Sequence, residues 1–137
     1  MIISTDKPPI WDEAQKHFEI DHRITVFTYG DTLYNPAGIY IDADLMAHEQ
    51  THSRQQAATE GGPAAWWQRY FADPDFRKVQ ELDAYQNQYE HYCRTHKGHE
   101  QRFRYRMELA RTLASNMYKT GILTSDAMGI ITGKAHK

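Results

Sequence analysis

The run His48-Glu49-Gln50-Thr51-His52 constrains this chain more than any other feature, because its chemistry requires a helix. On an α-helix, residues four apart share a face about one turn apart, so His48 and His52 stack there. Two imidazoles so placed can bind one metal ion. Glu49 follows the first of them and can lean over the same ion, taking a proton from water rather than acting as a ligand. In a chain with eight histidines the bare pattern is weak evidence, and its surroundings decide its meaning.

Those surroundings predict a helix. Asp42 and Asp44 can each cap free backbone N–H groups at its start. Gly61-Gly62-Pro63 stops it after about Glu60. Gln50 and Thr51 are uncharged, which suits partial burial. Before the helix, Ile24 to Tyr29 is β-branched and aromatic and reads as a strand. Gly30-Asp31 makes a two-residue turn and Thr32-Leu33-Tyr34 the returning strand. Asn35-Pro36-Ala37-Gly38 is a second turn signal, and Ile39-Tyr40-Ile41 reads as a third strand able to offer its edge to an extended substrate. Upstream, Trp11 to Phe18 reads as a short helix, and residues 1–10, with Pro8-Pro9, as an irregular arm.

After the Gly-Gly-Pro stop, Ala64 to Ala72 carries Trp66, Trp67, Tyr70 and Phe71 at helical spacing. Core packing is the preferred reading of these aromatics over a subsite wall. Asp73-Pro74 is an N-cap followed by Pro at the first helical position, opening a second long helix to about His96. Its buried stripe is predicted as Phe76, Val79, Leu82, Tyr89 and Cys93, with Glu81, Tyr85 and Gln88 on a neighbouring stripe. A third helix is predicted from His99 to Lys119, with Phe103, Met107, Ala110, Ala114 and Met117 facing inward and Gly121 just beyond. One more turn is predicted near Ser125–Met128, with fraying over 133–137. The predicted fold class is α+β: a short antiparallel β-meander followed by a zincin-like bundle of two or three long helices, in a single domain spanning 1–137.

A hydrolytic zinc site takes three protein ligands and keeps one position open. Glu81, 29 positions after His52 and on the second long helix, can complete a His-His-Glu set. Asp83 competes, but two residues on it lies about 160° away around the helix, so only one of the two can face the ion. Glu81 is preferred for its longer side chain and because Tyr85 shares its face one turn later.

His48-Glu49-Gln50-Thr51-His52 with downstream Glu81-Leu82-Asp83-Ala84-Tyr85 resembles the gluzincin branch of zinc metallopeptidases. The resemblance covers residues 48–85. Tyr29 to Pro36, Gln55-Gln56, Trp66-Trp67 and Asp73 to Arg77 are also similar to small uncharacterised proteins of phages and prophages. The gluzincin likeness implies a Zn2+ cofactor on His48, His52 and Glu81, Glu49 as general base, and a peptide or protein substrate. Tyr85 is the candidate donor to the oxyanion, with Tyr89 and His91 behind it.

Composition excludes several other classes. A formal charge of −2 creates no global field for nucleic acid or an anionic membrane. No window reaches the length of a membrane span. The first residues lack a basic region followed by an apolar one, so they do not read as a secretory signal, and Cys93 is the one cysteine. A cytoplasmic location is the expectation, with Cys93 as a small buried hydrophobe. Arg102, Arg104, Arg106 and Arg111 invite a nucleic-acid reading, but Glu100 and Glu108 dilute them and they do not share one helix face. His91, His96 and His99 read as surface residues rather than a second cluster. The rival to a peptidase is a non-catalytic structural or interaction module stabilised by zinc.

Overall fold

The computed structural model describes residues 1–115 and 117–133. In chain order the elements are β1 (Ile2–Ser4), α1 (Trp11–His17), β2 (Phe27–Tyr29), β3 (Thr32–Tyr34), α2 (Ala43–Ala57), α3 (Gly62–Ala72), α4 (Pro74–Thr95), α5 (His99–Ala114) and α6 (Thr124–Thr132). The class is α+β, mostly helical. The predicted fraying at the chain's end, from Lys134 on, lies outside the described residues, as does Asn116.

The sheet differs from the predicted meander. It is mixed, in the order β1-β3-β2. β2 and β3 form the predicted antiparallel hairpin about Gly30-Asp31, with Tyr29 opposite Thr32 and Gly30 at φ +62°. The third strand is β1, drawn from the arm and parallel to β3 with Ile3 opposite Leu33. Residues 39–41 form no strand. The reason lies in Asn35, whose amide donates to the Ile39 carbonyl at 2.8 Å and accepts from the Ile39 N–H at 3.1 Å. Those bonds satisfy the backbone groups of Ile39 that a sheet ladder would otherwise pair.

Helix ends follow local chemistry. The Asp42 carboxylate accepts the Leu45 N–H at 2.7 Å and caps α2. Gly61, at φ +88°, separates α2 from α3, and a Cβ there would lie 2.8 Å from that of Ala65. Asp73 accepts from the N–H groups of Asp75 and Phe76 at 3.0 and 3.2 Å and caps α4. Replacing Asp73 with Ala should lower stability by about 1 kcal/mol, read as a shifted urea midpoint with unchanged slope.

The inward faces of the two longest helices differ from the apolar count. On α4 the buried residues are Arg77, Glu81, Ala84, Tyr85, Gln88, Tyr89 and Cys93, while Val79 is 58% exposed and Phe76 and Leu82 are half-buried. The polar-aromatic stripe, not the aliphatic one, packs against α2, because α2 supplies hydrogen-bond partners for it. On α5 the buried residues are Leu109, Ala110 and Leu113, and Phe103 is 44% exposed. Arg102 turns inward instead and donates to the carbonyls of His96 and Cys93, each at 2.7 Å, satisfying the end of α4. Arg106 donates to the Tyr89 hydroxyl at 3.2 Å. α5 ends at Ala114 rather than Lys119, and the predicted final turn is the nine-residue α6, whose Ala127 and Ile131 are buried.

Two apolar clusters result. One contains Tyr85, Tyr89, Cys93, Leu109, Leu113 and Ile131, and the other Trp11, Phe27, Trp66, Trp67 and Tyr70. The His48 ring packs on Tyr85 of the first and the His52 ring on Trp66 of the second. α2 is also tied to the hairpin. Gln56 donates to the Thr28 carbonyl at 2.8 Å and accepts from the Gly30 N–H at 2.6 Å, and Ser53 donates to the Gly30 carbonyl at 2.7 Å. Among the described residues no helix is long and apolar enough to cross a membrane.

Candidate metal centre

The motif lies where the sequence places it, on α2. His48 meets Gln88 of α4, His52 meets Glu81, and Gln55 meets Gln80 and Asp83. Partners fall along α4 as positions rise along α2, so the two helices run in opposite directions. This crossing brings Glu81 Oε1 to 3.2 Å from His48 Nε2 and 2.9 Å from His52 Nε2. One ligand atom from each of the three residues lies within 4.8 Å of the others, and all three residues are buried. Tyr70 of α3 donates to Glu81 Oε2 at 2.6 Å, which leaves Oε1 turned to the histidines.

The hydrogen-bond pattern leaves room for a cation and little else. His48 Nδ1 lies 2.9 Å from Gln88 Oε1, and His52 Nδ1 2.8 Å from Gln55 Oε1. An amide oxygen only accepts, so with the amides lying this way each Nδ1 carries the hydrogen. In a neutral ring the lone pair then sits on Nε2, aimed at the Glu81 carboxylate. Lone pairs face lone pairs unless a positive charge lies between them, either a proton or a metal ion. The group His48, His52, Glu81 can therefore hold a metal ion.

In the metal-free protein a proton takes that place. Burial works against the charged form of His52, but the Glu81 carboxylate outweighs it and raises its pKa from 6.5 to about 9. Burial likewise works against the charged form of Glu81, yet the charge of His52 and the hydrogen bonds of both rings hold it well below the ordinary carboxylate range. The raised His52 pKa contributes stability that is complete below 6.5 and is lost as pH rises through about 9. The lowered Glu81 pKa contributes stability above 4.5 that is lost as pH falls through its folded value. Thermal unfolding in a chelator should therefore show falling stability between pH 6.5 and about 9. Added zinc should remove that fall, since the ion takes over the charge of the proton.

Glu49 lies beside this group. It is 6% exposed, and its Oε2 accepts from Thr28 Oγ1 of β2 at 2.7 Å. Glu49, His48, His52 and Glu81 line one cleft, whose aromatic wall includes Trp66 and Tyr118. Trp66, Trp67 and Tyr70 of α3 are core residues, as preferred from the sequence, and they also line the cleft. The strand beside the site is β2 rather than residues 39–41, and its Thr28 carbonyl already accepts from Gln56 and from Trp67 Nε1.

Tyr85 packs edge-on against His48, with ring centroids 4.5 Å apart, and its hydroxyl shares a 2.8 Å hydrogen bond with that of Tyr118. Asp83, the rival to Glu81, accepts from Gln55 Nε2 at 3.1 Å and is not in the His-His-Glu group. His91 pairs with Asp44 at 2.5 Å, and His96 stacks on Tyr92. Arg54 is exposed. Sequence reasoning missed Tyr70, Gln55 and Thr28 as supports of the site. Gln88 was visible as a polar member of the Glu81 stripe.

Comparison with protein-family models, with curated proteins and with solved structures gives no match for this chain.

Proposed function

We propose that this chain is a zinc-dependent peptidase of gluzincin type, hydrolysing amide bonds in a peptide or protein substrate. His48, His52 and Glu81 are the ligands in this reading. The observation that carries it is the convergence of two Nε2 atoms and one carboxylate oxygen, with Glu49 on the wall of the same cleft. Three ligands suit a catalytic zinc, whereas structural zinc sites are usually closed by four.

An ion held there supplies a Lewis acid that lowers the pKa of water towards ~7 and polarises a carbonyl. The protein's own groups do the rest. Thr28 holds Glu49 by Oε2, which leaves the carboxylate poised to take a proton from water and pass it to the leaving amine. Tyr70 holds Glu81 by Oε2, which leaves Oε1 facing the two Nε2 atoms with which it would hold the ion. Tyr85, whose hydroxyl hydrogen-bonds that of Tyr118 on the cleft wall, is the candidate donor to the oxyanion. Burial raises both phenols well above their ordinary range, so both stay protonated donors.

A second reading, a non-catalytic module stabilised by zinc, is favoured by one observation. His48, Glu49, His52 and Glu81 are 3–6% exposed, and the Thr28 carbonyl beside them is already paired. Metal analysis with a broad peptide library separates the two. The peptidase reading expects bound zinc, cleaved peptides and no cleavage by a Glu49→Gln variant. Bound zinc with an untouched library would select the module.

A further inference from the structure

Amides rather than carboxylates hold the two imidazoles from behind, and one of those amides is locked. Gln55 Nε2 lies 3.0 Å from the backbone oxygen of Gln80 and 3.1 Å from Asp83 Oδ2. Both partners only accept, so the Gln55 amino group must face them. Its oxygen must then face His52 Nδ1, where it sits at 2.8 Å. No such constraint acts on His48. The amide of Gln88 gives its Nε2 to the Tyr105 hydroxyl at 2.8 Å, and a hydroxyl can donate or accept, so it does not dictate how that amide lies.

Resting on the metal reading above, we propose that Gln55 and Asp83 are positioning residues of the zinc site, Asp83 acting through Gln55 to hold His52 in the form that offers Nε2. The lock has a sequence form, His52-x-x-Gln55 with Glu81-x-Asp83. Its chemistry is cooperative. Donation from the Gln55 amide to a carboxylate increases the negative charge on Oε1. That strengthens the Nδ1–H bond and makes Nε2 the better electron donor, as outer partners of metal-bound histidines do. Asp83 thus contributes to the site through Gln55, from outside the His48, His52, Glu81 group.

The test uses the full chain and zinc alone, with affinity measured by competition against a chelator and ring N–H protons observed by NMR in the zinc-loaded state. Gln55→Met should weaken zinc binding about 10- to 100-fold. It should abolish the slowly exchanging Nδ1–H signal of His52 and leave that of His48. Asp83→Ala, at a half-buried position, should weaken binding less, because the Gln80 carbonyl still orients the amide. Asp83→Ala should add nothing in the Gln55→Met background, since its effect passes through Gln55. Zinc binding by Gln55→Met within about twofold of the parent would overturn the proposal. So would additive losses, which would make Asp83 an independent contributor, and so would loss of both ring signals together, which would mean general loosening. If the parent protein takes up no zinc, the metal reading fails and this proposal with it. If the parent binds zinc and the variants are unchanged, only the positioning role fails.

Discussion

A Glu81→Ala protein should lose zinc. Glu81 Oε1 is the only carboxylate oxygen in the group that the two Nε2 atoms share, and alanine leaves two imidazoles at the end of a buried pocket. Removing a partner of a metal-bound histidine already costs about 10- to 100-fold in affinity. Losing a ligand outright should exceed the upper end of that range. The metal-free variant should suffer as well. His52 would keep a buried positive charge without its counter-charge, or give up its proton, and the Tyr70 hydroxyl would lose its acceptor. Removing one member of a buried ion pair typically costs about 3–5 kcal/mol. Urea unfolding in a chelator should show a loss of that order at pH 6.5, and metal analysis should find no stoichiometric zinc. A Glu81→Ala protein that retained zinc at full stoichiometry would remove Glu81 from the ligand set.

Glu49→Gln should separate chemistry from metal binding. The glutamine has the shape of the glutamate and can keep its oxygen toward the Thr28 hydroxyl, so the wall of the cleft should survive. What it lacks is a basic oxygen. Loss of a general base typically lowers rate about 10²- to 10⁴-fold. Peptide hydrolysis should fall by that much while zinc content and zinc affinity stay near those of the parent. Equal hydrolysis by the two zinc-loaded proteins would rule out Glu49 as the base.

The helix starts at Asp42 and Asp73 were legible because their chemistry is local, whereas α2 ends at Ala57 and α5 at Ala114, short of the predicted Glu60 and Lys119. Asp42 and Asp73 accept from N–H groups two or three residues ahead, and Gly61 needs only its own backbone conformation. The pairing of Glu81 with the motif was legible for a related reason. A ligand must lie on the part of the second helix that faces the two histidines, and Asp83 meets Gln55 instead. The sheet was less legible. Ile2 to Ser4 pairs with residues about thirty positions away, and no local signal in the arm marks a parallel partner. Ile39 to Ile41 has strand composition, yet one asparagine four residues before Ile39 takes both backbone groups of Ile39.

Residue type and spacing alone determined that this chain could build a His-His-Glu group: a helix carrying His48, Glu49 and His52, and a second capped helix carrying Glu81. Tertiary structure alone decided which faces are inside and what surrounds the group. An apolar count sends Val79 inward and Glu81, Tyr85 and Gln88 aside, because it treats burial of polar groups as a penalty. Packing of α4 on α2 removes that penalty by bonding Glu81 to His52 and Tyr70, and Gln88 to His48 and Tyr105. A polar side chain is stable inside only when partners from distant parts of the chain meet it, and those meetings exist only once the helices cross.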